Sequence, residues 1–297
     1  MSPENGRPTV FIQANDRQML GAKISAESFK KASARPDSFD VVIMDAADYP
    51  RLMAHGQSVL RAGHIREWDP DDLQSFTPLR FCPPKLMNYE GKAVVVDPDC
   101  FGVGDVAELF DRDMEGKAIM AVARPGHNKR NDYIATSVML LDCAKLKHWD
   151  PDKDQEDLFA HRFDYIDWIE LKREEPETID FLEPEWNNFD TLNAKTKILH
   201  TTNRRTQPWK TGLPVDFTLR ERGPLDFIRR LRRRRYEKHP DPNQEALVYS
   251  ILANLVDKGS LTKQEIVAEM AADHIRHDSL ELIDRYRGWN GLAEVAA

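Results

Sequence analysis

A chain of 297 residues is long enough to bury one large core, or a main domain with a smaller attachment. With 41% hydrophobic and 31% charged residues it has the composition of an ordinary soluble protein, and its net charge of −8 argues against general nucleic-acid binding. No apolar stretch approaches the ~18 residues of a membrane span, and the opening MSPENGRP lacks the basic-then-apolar form of a signal peptide. Cys82, Cys100 and Cys143 are odd in number and lack metal-site spacing, so the expected setting is a reducing cytoplasm.

In chain order, Thr9–Gln13 is a β-branched run bounded by polar residues and predicts a buried strand. Met19–Ala32 carries apolar residues at helical spacing, and Asp40–Met44 predicts a second strand. Phe76–Met87 reads as helical despite its prolines. Ala93–Val96 is a third strand, followed by a loop and the helix-like DVAELFDRD. Ala118–Ala123, Ile134–Leu141 and Thr196–His200 are further strand candidates. Gln244–Val256 and Thr262–Ile275 read as helices. Strands alternating with helices to about residue 150 predict an α/β layer with a mostly parallel sheet, in which ligands gather at the carboxyl ends of the strands. The expected division is a main domain over 1–218 and a basic helix with a C-terminal helical region over 219–297.

The tripeptide Asp-Pro-Asp occurs three times. At Asp69–Asp71 and Asp150–Asp152 it follows a tryptophan among other acids and reads as a solvated turn or helix start. At Asp97–Asp99 it follows an apolar strand, which places two carboxylates at a carboxyl edge. Such a pair can converge on a hard divalent cation with positions left open for phosphate oxygens, and the intervening proline restricts the backbone between them. A phosphoaspartyl-type phosphatase also uses Asp-x-Asp after a strand, but Phe101 stands where Thr or Val is usual.

Several phrases, taken together and in order, resemble the family 8 glycosyltransferases. These are VVVDPDCFGVGDVAELF around the acidic pair, LRFCPPKLM seventeen residues upstream, ATSVMLLDCAKL, EPEWNN and ILHTTNRRTQPW, with FIQANDRQMLGAKISAESF at the start. The resemblance covers roughly residues 8–214. It implies a GT-A type nucleotide-diphospho-sugar transferase fold and a retaining transfer of a hexose, by front-face attack, from a nucleotide-diphosphate sugar to an acceptor hydroxyl. UDP is the usual nucleotide and Mn²⁺ the expected ion, with Mg²⁺ as the alternative. The implied metal ligands are Asp97, Asp99 and His200; by itself, His200 would read as a core histidine closing a strand. Gln13, Ala14 and Asn15 are implied at the nucleoside, Arg80 at the family's arginine, and Trp186 in its Pro-x-x-Trp-Asn phrase.

Departures from the family pattern are also visible. The sugar-side carboxylate has no clean copy, and in FDYIDWIEL either Asp167 or Asp164 could supply it, with Asp167 preferred. The family lysine before Pro-Trp is Gln207, so Lys210, Arg204 or Arg205 would replace it, with Lys210 favoured. Ala135 and Ser137 stand where the family has Asn and Gly, and Gln18 replaces an aromatic beside the base. These changes motivate an alternative: a catalytically silent nucleotide- or glycan-binding protein on the same fold. A nucleotidyltransferase would need a Gly-rich, cationic loop after the first strand, of which QANDRQMLGAK is a poor version.

From Arg220 to Lys238 nine basic residues face three acidic ones, a local +6 that leaves about −14 elsewhere. With Leu225, Phe227, Ile228 and Leu231 on an apolar side, this segment suggests peripheral attachment to an anionic inner membrane face near a lipid-linked glycan acceptor. A solvated helix face is the plainer reading. Nucleic acid is not expected as a partner, because few aromatics interleave with the arginines.

Overall fold

The computed structural model describes residues 6–126, 132–216 and 235–291. The expected boundary at 218/219 and the basic run up to Arg234 lie outside the described residues. By internal contacts the chain divides into two compact units, residues 1–188 with 196–199 and residues 189–195 with 200–297.

The first unit is built on a six-stranded sheet. Its strands are β1 (Thr9–Ala14), β2 (Asp40–Asp45), β5 (Lys92–Val96), β7 (Ile119–Arg124), β8 (Tyr133–Asp142) and β9 (Ile179–Phe181), in the order β2-β1-β5-β8-β7-β9. A hairpin of β3 (Ser58–Arg61) and β4 (His64–Glu67) stands apart. Pairing is parallel for β1 with β2, β1 with β5, and β7 with β9, whereas β8 is antiparallel to both β5 and β7. Five strands therefore run one way and β8 alone is reversed, so the expected mostly parallel α/β architecture is what the chain adopts.

Alternation along the strands divides the core. Phe11, Ala93, Val95, Met139 and Leu141 face one layer, with Trp68, Trp149 and Trp168. Val10, Ile12, Val94, Val96, Val138 and Leu140 face the other, with Ala22 and Phe29 of the helix Met19–Ala32. A sheet covered on both faces needs near-continuous apolar strands, which is why these segments read as apolar runs rather than alternating ones.

One element differs from expectation for a clear reason. Phe76–Met87 is not one helix but a 3₁₀ turn, Thr77–Phe81, followed by a short helix, Pro83–Leu86. Proline is tolerated only in the first turn, so Pro78 opens the first piece and Pro83 and Pro84 force a restart. A three-stranded sheet joins β10 (Asn188–Phe189), β11 (Ile198–His200) and β6 (Cys100–Gly102) in that order.

The second unit contains the helices Pro242–Asp257, Lys263–Ala271 and Ser279–Tyr286. Thr262 and Glu265 form a capping box at the second of these, so the helix starts where the sequence predicts but ends four residues before Ile275. Partly buried Arg276 holds the cluster: it donates to Glu245 Oε2 at 2.6 Å and to both oxygens of Asp278 at 2.6 and 2.7 Å. No helix among the described residues is long and apolar enough to cross a membrane.

Candidate active site

Parallel pairing of β1 with β5, from Thr9 opposite Ala93 to Ile12 opposite Val96, sets Gln13 level with Asp97 at the carboxyl edge. The Cys100 N–H donates to the Asp97 carbonyl at 3.1 Å, closing a four-residue turn with Pro98 at its second position, where a fixed φ is favoured. The helix Met19–Ala32 accommodates this turn with a face of small residues at helical spacing. A Cβ at Gly21 would stand 3.0 Å from the Pro98 carbonyl oxygen. Ser25 Oγ donates to the Cys100 carbonyl at 2.6 Å, and Ser28 Oγ accepts the Gly102 N–H at 2.8 Å. The other two copies of the tripeptide are local. Asp69 accepts the Asp71 N–H at 3.0 Å, and Asp150 caps the helix Pro151–Phe159.

Asp97 is buried, and its carboxylate is gripped by buried Arg80: Nε reaches Oδ1 at 3.0 Å and Nη2 reaches Oδ2 at 2.5 Å. Gln13 Nε2 also donates to Oδ1. Burial by itself would lower the pKa of the Arg80 guanidinium, but the Asp97 carboxylate outweighs it and holds the group above its ordinary range. Arg80 Nη1 donates to Thr136 Oγ1 at 3.0 Å, which in turn donates to the Ile169 carbonyl at 2.7 Å. Thr136 and Ser137 lie where the register of β7 against β8 shifts, from Ala121–Met139 to Val122–Ala135. Such irregularities re-aim side chains beside sites. Ser137 O accepts the Asp97 N–H at 3.0 Å, and Ser137 Oγ accepts from Asn187 Nδ2 at 3.0 Å.

Asp99 and Cys100 follow Asp97 at this edge in the first unit, and His200 closes β11 in the second. Of the three ligands expected from sequence, Asp97 is committed to Arg80 through both carboxylate oxygens. Cys100, a sulfur donor next to Asp99, is not marked by cysteine spacing rules, which look for pairs.

The remaining candidates are dispersed around this edge or in the second unit. Asn15 Nδ2 donates to the Asp72 carbonyl and to Ser75 Oγ, both at 3.0 Å. Gln13 Oε1 and Asn15 Oδ1 are buried acceptors with no hydrogen-bond partner among the described residues. Ala14 is buried in the core. Asp164 caps the helix Tyr165–Ile169, accepting the Ile166 and Gly63 N–H groups at 2.8 Å each. Burial would raise its pKa, but these backbone donors prevail and lower it. Asp167 is half-exposed and pairs with Lys172 Nζ at 3.0 Å. Trp186 is buried in the second core layer, with Lys197 Nζ 5.8 Å from its ring centre. In the second unit, Lys210 is fully buried and donates to Asp216 Oδ2 at 2.9 Å and to the Asp273 carbonyl at 3.3 Å. His200 is buried edge-on to Phe189, ring centres 5.1 Å apart.

No family model matches this chain. Among curated proteins it is similar to Protein CDI of Arabidopsis thaliana, at 26% identity over 223 residues, covering 69% of this chain and 78% of that protein. Among solved structures it is similar to the galactosyltransferase LgtC in complex with donor and acceptor sugar analogues, at 15% identity and a TM-score of 0.47, over 68% of this chain and 89% of that one. The glycosyltransferase GlyE of Streptococcus pneumoniae TIGR4 aligns at 15% identity and a TM-score of 0.49, over 86% and 64%. Mouse xyloside xylosyltransferase 1 aligns at 14% and 0.44, over 66% and 97%.

Proposed function

We propose that this chain is a GT-A type, metal-dependent glycosyltransferase that moves a hexose from a nucleotide-diphosphate sugar to an acceptor hydroxyl with retention of configuration. The observation that carries the reading is the Asp-Pro-Asp turn at the carboxyl edge of the sheet, where Arg80 and Gln13 hold the Asp97 carboxylate and Asp99 follows two residues on. The family 8 phrases and their order in the sequence support it. A divalent ion bound there would neutralise the diphosphate as it departs.

The chain's own residues do the remaining work. Arg80 fixes the Asp97 carboxylate and thereby the turn that presents Asp99. The two buried acceptors on Gln13 and Asn15 face the cost of desolvation unless a ligand N–H or O–H reaches them, which suits a nucleoside. Asp167 is the preferred carboxylate beside the donor sugar. Lys210 is committed to Asp216, so Arg204 and Arg205 stand with it as candidate cations for the diphosphate.

A second reading, a catalytically silent nucleotide- or glycan-binding protein, is favoured by the commitment of Asp97 to Arg80. Melting temperature measured with UDP-glucose, UDP-galactose, UDP-N-acetylglucosamine and GDP-mannose, with and without Mn²⁺, tests the shared premise: at least one nucleotide sugar should raise it only with the ion. Slow Mn²⁺-dependent hydrolysis of that donor, abolished in Asp99→Ala, identifies the transferase. Binding without hydrolysis identifies the silent protein.

A further inference from the structure

We propose that a cavity at the β8–β9 end of the first unit is the acceptor subsite, and that it takes a neutral saccharide. This rests on the transferase reading above. The cavity has a volume of about 580 Å³, within the ~300–1,000 Å³ of small-ligand sites, and lies between the starts of β8 and the segment 170–176, with β9 at its side.

Topology puts it at the working edge. Because β5, β7 and β9 run the same way and β8 is reversed, the exit of β5 at Asp97, the last residue of β9 (Phe181) and the first of β8 (Tyr133) share one edge of the sheet. Side-chain contacts tie the cavity to the candidate site. Lys172, in its wall, lies 3.0 Å from Asp167 and 3.0 Å from Glu170, so the wall shares a cation with the carboxylate preferred beside the donor sugar. One residue before Glu170, the Ile169 carbonyl accepts from Thr136, which holds Arg80.

The lining selects the chemistry. Phe181, 53% exposed, and half-buried Tyr133 both line this cavity, and aromatic rings suit the C–H faces of a pyranose. Asp132, Glu170, Glu174 and Glu175 outnumber Lys172 and Arg173, so a phosphorylated or acidic acceptor is repelled. A lipid chain would find too much charge here.

Saturation-transfer NMR and titration calorimetry on the full chain, with maltose, lactose, cellobiose and chitobiose as probes and glucose 6-phosphate as the anionic control, test the proposal. At least one neutral disaccharide should bind, Phe181→Ala should weaken it at least tenfold, and Phe181→Trp should restore it. Because Phe181 is largely exposed, far-UV circular dichroism should be the same for all three proteins. Disaccharide binding that is insensitive to Phe181→Ala, or a preference for the phosphorylated sugar, overturns the assignment. So does a chain that binds a nucleotide sugar with Mn²⁺ but none of the disaccharides, an outcome that leaves the transferase reading intact. Disaccharide binding without any nucleotide-sugar binding sinks the transferase reading instead.

Discussion

Arg80 and Asp97 form a buried, two-pronged ion pair, and each is there at the cost of its hydration. Removing one partner leaves the other charge stranded, which in comparable sites costs about 3–5 kcal/mol. Arg80→Ala should therefore destabilise the protein by that order in urea unfolding, and adding Asp97→Ala should recover part of the loss. A double variant no more stable than Arg80→Ala would show that packing, rather than charge, dominates. Nothing in residue spacing reveals this pair. Arg80 stands out only through its offset from Asp97 in the family pattern, and its burial depends on how two proline-broken turns fold over the strand ends.

Asp154 makes a second point at this scale. Burial pushes its carboxyl up to about 6, more than the nearby Arg173 at 3.7 Å and Lys153 offset, while Asp150 and Asp157 add to the rise. Against an unfolded value near ~3.9, the folded state holds the proton more tightly. Stability from this group is thus present at low pH and is lost as pH rises through about 6, opposite in sign to a salt-bridged aspartate. Asp154→Asn should raise the melting temperature relative to the parent at pH 7–8, with the gain shrinking towards pH 4. Curves that stay parallel across that range would refute the assignment.

At the scale of elements, the helix Met19–Ala32 was legible from its apolar period, but the function of its other face was not. Gly21, Ser25 and Ser28 look like three ordinary small residues until the turn of Asp97–Cys100 and the strand β6 are laid against them. Gly to Ala inside a helix ordinarily gains up to about 1 kcal/mol. Here the new Cβ would stand 3.0 Å from the Pro98 carbonyl, so the turn must shift or the helix must give. Gly21→Ala should forfeit that gain and weaken Mn²⁺-dependent donor binding several-fold by calorimetry; unchanged affinity with a higher melting temperature would show that the turn is free to move. The Phe76–Leu86 segment teaches the converse lesson. Its prolines were in plain view, and their missing N–H groups are enough to split the expected helix.

For the whole molecule, the proposed metal ligands lie about a hundred positions apart in the chain. Asp99 and Cys100 follow one strand of the main sheet, and His200 ends a strand of another. If Asp99 and His200 are metal ligands, as the family resemblance implies, Mn²⁺ should raise the melting temperature on its own, and His200→Ala should remove that response without abolishing cooperative unfolding. A Mn²⁺ response that survives in His200→Ala would place the ion elsewhere.

The sequence by itself determined the α/β class, the places of most strands and the position of one Asp-Pro-Asp among three at a strand end. It could do so because apolar periodicity, proline and turn chemistry act over a few residues. Only the tertiary structure decided that Asp97 is bound to Arg80, that β8 alone runs backwards, and that Asp164 is a cap. Those outcomes depend on which strand lies beside which. Sheet pairing joins segments remote in the chain, and no local pattern records its register.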